Sequence, residues 1–341
     1  MATRTDVLLV TANVGSLFDN VGEIQNEWLQ ELYKTIRTCQ PQFIALHFQE
    51  VGGKEYMVNM GQAEEFFWNI ESSDELKDFD RRCIYVDNQF QAEERFTFKW
   101  SRKGFMRTRW IIHDRGLDLV NVHLFHDASN LIACKTSPSV YSANRKNALR
   151  HVINRISDNC HNTTPFFLFG DFNFRLDTLS LVQHLSTSAE VQTVKKDSSN
   201  EVQKIICEEK ADRQVILLIE DKLFAYLHQA VFRDDNGKAL LKYDKEVTAF
   251  HDVVREEEIT FPPSYPYSEE YTKPTQYMNT RCPAWCDRIL MSHAAQQFIH
   301  SVSRHLPAFR QYPRNVIVST RVKFGERDGV TTASSYQQVW R

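Results

Sequence analysis

The segment Gly170-Asp171-Phe172-Asn173-Phe174-Arg175 sets a carboxylate and an amide two residues apart, directly after the apolar run Pro165 to Phe169. If that run is a strand, its alternation sends Asp171 and Asn173 to one face and Phe172 and Phe174 to the other. A carboxylate beside an amide donor can orient an attacking water while the amide binds an oxyanion. The modest reading is an Asx turn closing a strand, a commoner meaning of Asp and Asn in such places. Asn121-Val122-His123-Leu124 ends another apolar run, with Asn121 and His123 on one face. A histidine titrating near neutrality can neutralise or protonate a phosphate oxygen. His126 faces away if the strand continues, and a surface hydrogen bond is its simpler role.

Glu50 closes the run Phe43 to Phe48 ahead of Gly52-Gly53, and Asn13 closes Val7 to Val10 ahead of Gly15. A carboxylate and an amide oxygen, with room for water and phosphate, form the hard donor set that magnesium prefers, whereas a single glutamate at a strand end is usually just solvated. Ser101 to Trp110 carries Arg102, Lys103, Arg107 and Arg109. Arg107 and Arg109 share a face if the segment is extended and can grip phosphate bidentately; the alternative is an edge strand blunted by charge. Pro283 to Leu290 sets Asp287 and Arg288 beside Trp285, as pocket residues or as a structural ion pair. Cys282 and Cys286 have no partners at zinc spacing and read as packing residues.

These polar groups all end apolar, β-branched runs. Val7 to Val14, Phe43 to Phe48, Leu117 to Phe125 and Phe166 to Phe169 read as strands buried on both faces. Apolar residues at helix spacing predict helices over Glu23 to Cys39 and over Tyr141 to Ile156, the second with Ser137-Pro138 as N-cap and first turn. Val215 to Ala230 shows a further helical pattern after a charged stretch, Lys195 to Arg213, that reads as an exposed loop. Phe261 to Pro274, rich in proline and tyrosine, is expected to be irregular and could border a site. Strands alternating with amphipathic helices imply a layered α/β architecture.

With 341 residues, 42% of them hydrophobic and 12% aromatic, the chain can bury a large core as one or two domains. A formal net charge of -3 leaves no global field for a polyanion, so nucleic acid is not the expected partner and any anion site must be local. Seven cysteines without a CxxC pair fit a reducing compartment. The run Val7 to Val10 is too short for a signal peptide or a membrane span, so a soluble protein is expected. Asn162-Thr163-Thr164 matches a glycosylation pattern only by chance on that view.

Taken in order, Asn13, Gln49-Glu50, the Asn-x-His-Leu run at 121 to 124, the 170 to 175 segment and Pro283-Ala284-Trp285-Cys286-Asp287-Arg288 resemble the inositol polyphosphate 5-phosphatase family. Ser101 to Phe105 and His126 to Asn130 resemble its type I branch, which acts on soluble inositol phosphates. The resemblance covers roughly 6 to 292. It implies a four-layer α/β sandwich of the DNase I-like type and Mg²⁺-dependent removal of the 5-phosphate from inositol 1,4,5-trisphosphate and 1,3,4,5-tetrakisphosphate, which ends a calcium signal. Carried over by motif, Glu50 and Asn13 would hold the metal, Asp171 would orient or deprotonate water, Asn173 would hold the scissile phosphate and His123 would stabilise the pentavalent state. Lys103, Arg107, Arg109, His126 and Arg175 would bind ring phosphates, with Asp287 and Arg288 shaping the pocket.

The sequence also departs from that family. No Asp-His-x-Pro-Val motif follows Leu290, the stretch between Glu50 and Trp100 is short, and the chain ends Val339-Trp340-Arg341 where the type I branch carries a prenylation motif. The expected organisation is a catalytic domain over 1–292 and a divergent segment over 293–341. Val316 to Arg341 should pack poorly, although Val316 to Val322 could pair as a strand. Two functions therefore stand: the hydrolase, or an impaired relative that binds inositol phosphates or a protein. Nuclease or sphingomyelinase activity on the same fold is opposed by the 283 to 288 run and the lack of a basic surface. Pro266, where many lipid-active relatives carry lysine, favours a soluble substrate. The chain is expected to be a cytoplasmic monomer, in a branch whose members also associate with the plasma membrane.

Overall fold

The structure is a computed structural model, which describes residues 5–19, 22–86, 103–112, 115–157, 164–196, 198–268, 273, 275–297, 299–303 and 318–324. Its first strands are β1 (Thr5–Asn13), β2 (Phe43–Gln49), β3 (Gly104–Ile112), β4 (Arg115–His123) and β5 (Phe166–Asp171). There follow β6 (Ala189–Lys195), β7 (Val202–Glu209), β8 (Val215–Glu220), β9 (Leu223–Tyr226), β10 (Val254–Glu256), β11 (Asp287–Ser292), β12 (Ile299–Ser303) and β13 (Val318–Phe324). The helices used below are α1 (Glu23–Cys39), α2 (Met60–Glu71), α3 (Asn130–Ala133), α4 (Val140–Ile156) and α5 (Thr178–Leu185).

Among the described residues the strands make three sheets, in the orders β12-β13-β1-β2, β10-β11-β5-β4-β3 and β6-β7-β8-β9. The alternation expected of strands sorts their side chains into layers. In β1, Leu8 and Val10 pack with Trp28, Leu29 and Leu32 of α1, while Val7 and Leu9 point to the second sheet. In β4 and β5, Leu119, Phe167 and Phe169 face that interior, while Val120, Val122 and Leu168 pack with Leu149 and Val152 of α4. The order is helix, sheet, sheet, helix, as the sequence pattern and the resemblance both imply.

The four runs read as strands lie on β1, β2, β4 and β5, and α1 spans the expected Glu23 to Cys39. The C-terminal strand forms over Val318–Phe324, antiparallel to β1, and Val322 is fully buried. Residues 325–341 lie outside the described ones. Other expectations need correction. Val215 to Ala230 is mainly a hairpin, β8 and β9, whose Glu220 and Leu223 pair across the turn Asp221-Lys222. Its β-branched Val215, Ile216 and Ile219 favour strand over helix once neighbours on both sides can pair. The presumed loop Lys195 to Arg213 contains β7, because a strand with one open face carries charge without ceasing to be a strand. α4 is capped by Ser139, whose Oγ accepts from the Tyr141 N–H at 3.3 Å, while Ser137 donates to Asp177 instead. β2 is half-buried, not buried on both faces, because it is the edge of its sheet among the described residues.

The functional strands are held in register by a backbone approach that only glycine permits. Val122 on β4 stands opposite Gly170 on β5, and a Cβ at Gly170 would lie 1.9 Å from the Val122 carbonyl oxygen. Gly170→Ala is therefore expected to cost about 3 kcal/mol or more in denaturant unfolding. Gly61→Ala, which meets nothing within 4 Å, should be neutral or slightly stabilising in the same assay.

Candidate active site

Parallel pairing of β1 with β2 and of β4 with β5 carries four strand ends to one place. Asn13 ends β1, Glu50 follows β2, His123 ends β4 and Asp171 ends β5. His123 Nε2 lies 3.3 Å from Asp171 Oδ2, 3.6 Å from Glu50 Oε1 and in contact with Lys103 Nζ, itself 3.8 Å from Glu50 Oε1. Asn13 Nδ2 donates to Asp171 Oδ2 at 3.2 Å. Thus Asn13, Glu50, Lys103, His123 and Asp171, far apart in the chain, form one cluster.

The second sheet adds an acid. Asp287, at the start of β11, stands opposite Asp171 on β5, which in turn stands opposite His123 on β4. Burial alone would push both carboxyls up. For Asp171 the hydrogen bond and charge of His123, the Lys103 ammonium and the Asn13 amide outweigh burial and hold it below the usual carboxylate range. For Asp287 burial is joined by the Asp171 charge, against only a Ser264 hydrogen bond and Arg175, so it is pushed well above that range. One member of this pair is ionised and the other tends to keep its proton, the arrangement expected when two carboxyls share a buried site.

Glu50 occupies the left-handed region at φ 56°, which is costly for a residue with a side chain, and Gly53 N–H closes the turn onto its carbonyl at 2.8 Å. Beneath it, Gln49 Nε2 donates to Asn121 Oδ1 at 2.8 Å and Asn121 Nδ2 donates to the Phe48 carbonyl at 3.1 Å. This link between the two sheets fixes Glu50 relative to His123. The donor chemistry around Gly15 suits a hard cation. A Cβ there would lie 2.9 Å from Glu50 Oε2 and 3.4 Å from Asn13 Oδ1, so both oxygens face one space that glycine leaves open.

The Asx turn expected of the 170 to 175 segment is present, and it leaves the second Asp171 oxygen to the cluster. Asp171 Oδ1 accepts the Asn173 N–H at 2.8 Å in an Asx turn, with Asn173 at φ 51°, while Oδ2 faces the cluster. Asn173 Nδ2 donates to the Leu124 carbonyl at 3.1 Å and its Oδ1 accepts from Arg175 Nη2 at 2.7 Å. Arg175 lies 4.7 Å over the Tyr265 ring, with Nε and Nη1 buried and without a partner. The Phe261 to Pro274 segment does border the site, through Tyr265 and through Ser264, whose Oγ accepts the Asp287 N–H at 3.0 Å. Burial, then the charges of Lys103, Arg175, Arg281 and Lys222, pushes His126 down to about 4, which places it beside the same cations.

Three expected ligand residues are not brought to this cluster. Arg107 and Arg109 both pair with Asp118, at 2.7 Å each, far down β3 and β4 from His123. A buried carboxylate on the neighbouring strand claims both guanidinium groups. Arg288 points to the opposite side of β11 from Asp287, fully buried between Asp244 and Glu256, and is structural. Arg281 and Lys222 belong beside the site and were not singled out from sequence. Arg281 adjoins the 283 to 288 run, but Lys222 depends on a long-range contact with no local sequence signal.

Several known proteins are similar to this chain. The family described as Endonuclease/Exonuclease/phosphatase family 2 matches residues 228–315, past Ser292. Inositol polyphosphate-5-phosphatase A of Homo sapiens is 46% identical over 355 residues, covering 87% of this chain and 86% of the relative. The probable type I inositol 1,4,5-trisphosphate 5-phosphatase of Caenorhabditis elegans is 29% identical, covering 86% of this chain and 92% of the relative. Among solved structures, the 5-phosphatase domain of SPsynaptojanin, in complex with inositol (1,4)-bisphosphate and calcium ion, aligns with a TM-score of 0.46 at 12% identity, covering 96% of this chain and 86% of that one. By its extensive identity to these relatives, this chain belongs to the inositol polyphosphate 5-phosphatase family.

Proposed function

We propose that this chain is a Mg²⁺-dependent hydrolase that removes the 5-phosphate from inositol 1,4,5-trisphosphate and inositol 1,3,4,5-tetrakisphosphate, and so ends a calcium signal. The observation that carries the reading is the meeting of Glu50, His123 and Asp171, with one histidine nitrogen within 3.6 Å of both carboxylates. Family membership and the names of the relatives support it.

Glu50 and Asn13 would hold the metal through the oxygens that share the space over Gly15. Mg²⁺ held there would supply positive charge to the reacting phosphate. Asp171, kept ionised by His123, Lys103 and Asn13, orients the attacking water and accepts its proton. His123 and Lys103 face the charge that develops on the phosphoryl oxygens in in-line attack. The second hydrogen on Asn173 Nδ2 serves the scissile phosphate, and Arg175 offers its two unpartnered donors to the substrate. Asp287, holding its proton, adds a neutral donor without repelling the phosphate. Positioning and charge stabilisation supply most of the acceleration.

Phosphate release from inositol 1,4,5-trisphosphate in Mg²⁺ should fall about 10³-fold in Asp171→Ala at matched thermal stability, as loss of a general base requires. Wild-type protein that is well folded, binds the trisphosphate and releases no phosphate would instead be a binding protein.

The raised carboxyl of Asp287 gives a pH test. A folded-state value above the unfolded one, about 3.9, means that its contribution to stability is full below that pH and is lost as pH rises towards the folded value. Asp287→Asn, which fixes the neutral form, should gain thermal stability over wild type as pH rises from about 4 to 7. Parallel melting curves at both pH values check this.

A further inference from the structure

We propose that Lys222, on the two-residue turn between β8 and β9, holds a phosphate ester of the substrate other than the reacting one, an inference that rests on the hydrolase reading above. The third sheet thereby becomes a specificity element of the site.

The turn is built into the site's rim. The Asn130 N–H donates to the Asp221 carbonyl at 3.0 Å, Asn130 Nδ2 to the Glu220 carbonyl at 3.3 Å, and the Phe224 N–H to the Asn279 carbonyl at 2.7 Å. These backbone bonds fix where the Lys222 side chain starts, so the turn does not wander over the surface. Lys222 Nζ donates to the Ala128 carbonyl at 2.6 Å, and Arg281 Nη2 donates to the neighbouring Asp127 carbonyl at 3.2 Å. Two cations therefore bracket consecutive carbonyls just past His126. An ammonium has three N–H donors, and two of them remain for a ligand.

Of the carboxylates nearby, one is held in an ion pair and the other by a hydroxyl, and neither is paired with Lys222 or Arg281. Asp127 pairs with the fully buried Arg145, and the Asp221 carboxylate accepts from Ser129 Oγ. Lys222 and Arg281 bond instead to carbonyl oxygens, which carry no full charge to neutralise them. His126, pushed down first by burial and then by the charges of Lys103, Arg175, Arg281 and Lys222, stands among the same four cations. Excess cation charge, fixed geometry and unpartnered Arg175 donors are what a phosphate dianion requires. His126 is three residues beyond His123, a separation of at most about 10 Å along extended chain, so this point lies within reach of another ester on the same small ring.

The test is steady-state kinetics of the full chain on inositol 1,4,5-trisphosphate and on inositol 4,5-bisphosphate and inositol 1,5-bisphosphate, for wild type, Lys222→Ala and Lys222→Arg. Loss of one charge-assisted bond should raise KM for the trisphosphate about 10-fold with kcat little changed. It should raise KM far less for whichever bisphosphate lacks the ester that Lys222 holds, flatten the salt dependence of KM, and be largely rescued by Lys222→Arg. If Lys222 only braces the 126 to 129 segment, KM rises equally for all three substrates and the salt dependence is unchanged, which overturns the proposal. An unchanged KM overturns it too, and leaves the hydrolase reading standing if wild type is active. Should wild type release no phosphate, the hydrolase reading fails, and the subsite is decided by trisphosphate affinity in calorimetry. A Kd about 10-fold weaker in Lys222→Ala supports the subsite, and an unchanged Kd overturns it.

Discussion

His123, Asp171 and Asp287 stand opposite one another on three adjacent strands, and this row is the constraint from which the site follows. The row requires β4 to pair with β5 in one register. That register requires a residue without a side chain at Gly170, where the Val122 carbonyl comes too close for a Cβ. A slip of one residue would send His123 and Asp171 to the face packed on α4, with Val120, Val122 and Leu168. The site therefore inherits its geometry from hydrogen bonds between strands, which are stiff, and not from loops. Among the described site residues, Glu50 and Asn173 take left-handed backbone, Glu50 directly after β2 and Asn173 two residues past β5.

Two buried carboxyls in that row explain the electrostatic design. Asp171 keeps its charge because His123, Lys103 and Asn13 surround it on the interior side. Asp287 does not, because only a Ser264 hydrogen bond and the Arg175 charge favour its ionised form against burial and the Asp171 charge. The asymmetry follows the flanking strands: β4 brings a histidine to Asp171, whereas the pairing of β10 with β11 ends at Leu290 and does not reach Asp287. The inter-sheet amide link from Gln49 to Asn121 then fixes Glu50 against this row from the first sheet.

Much of this was legible in the sequence, for a physical reason. Asn13, Glu50, His123 and Asp171 each follow an apolar run, and parallel strands deliver their carboxyl ends to one side of a sheet. Apolar runs and helix periodicity depend on local composition, so β1, β2, β4, β5 and α1 could be read directly. The third sheet could not. Val215 to Ala230 carries apolar residues at helix spacing, and it is pairing with β7 that makes its first part a strand. Nor could sequence reveal that Asp118, nine residues after Arg109, sits directly opposite it. The contact between Lys222 and Ala128 spans a large loop and leaves no local pattern.

The arginines show how charge partners separate framework from site. Arg145 is buried against Asp127 and Glu246, Arg288 against Asp244 and Glu256, and Arg107 shares Asp118 with Arg109. Each of these cations has a carboxylate in hand, as burial demands, and none needs a ligand. Arg175 and Arg281 are also buried, yet they bond to an amide oxygen and to carbonyl oxygens. For Arg281, burial and the nearby Arg175 charge outweigh its neighbours' support and push its titration down, which marks a cation short of negative charge. Burying guanidinium groups without an ion-paired carboxylate has a cost, which an arriving anion would offset. The same contrast explains why motif spacing misassigned Arg107, Arg109 and Arg288: spacing places a cation on a face, but the acid opposite decides whether it is free to bind.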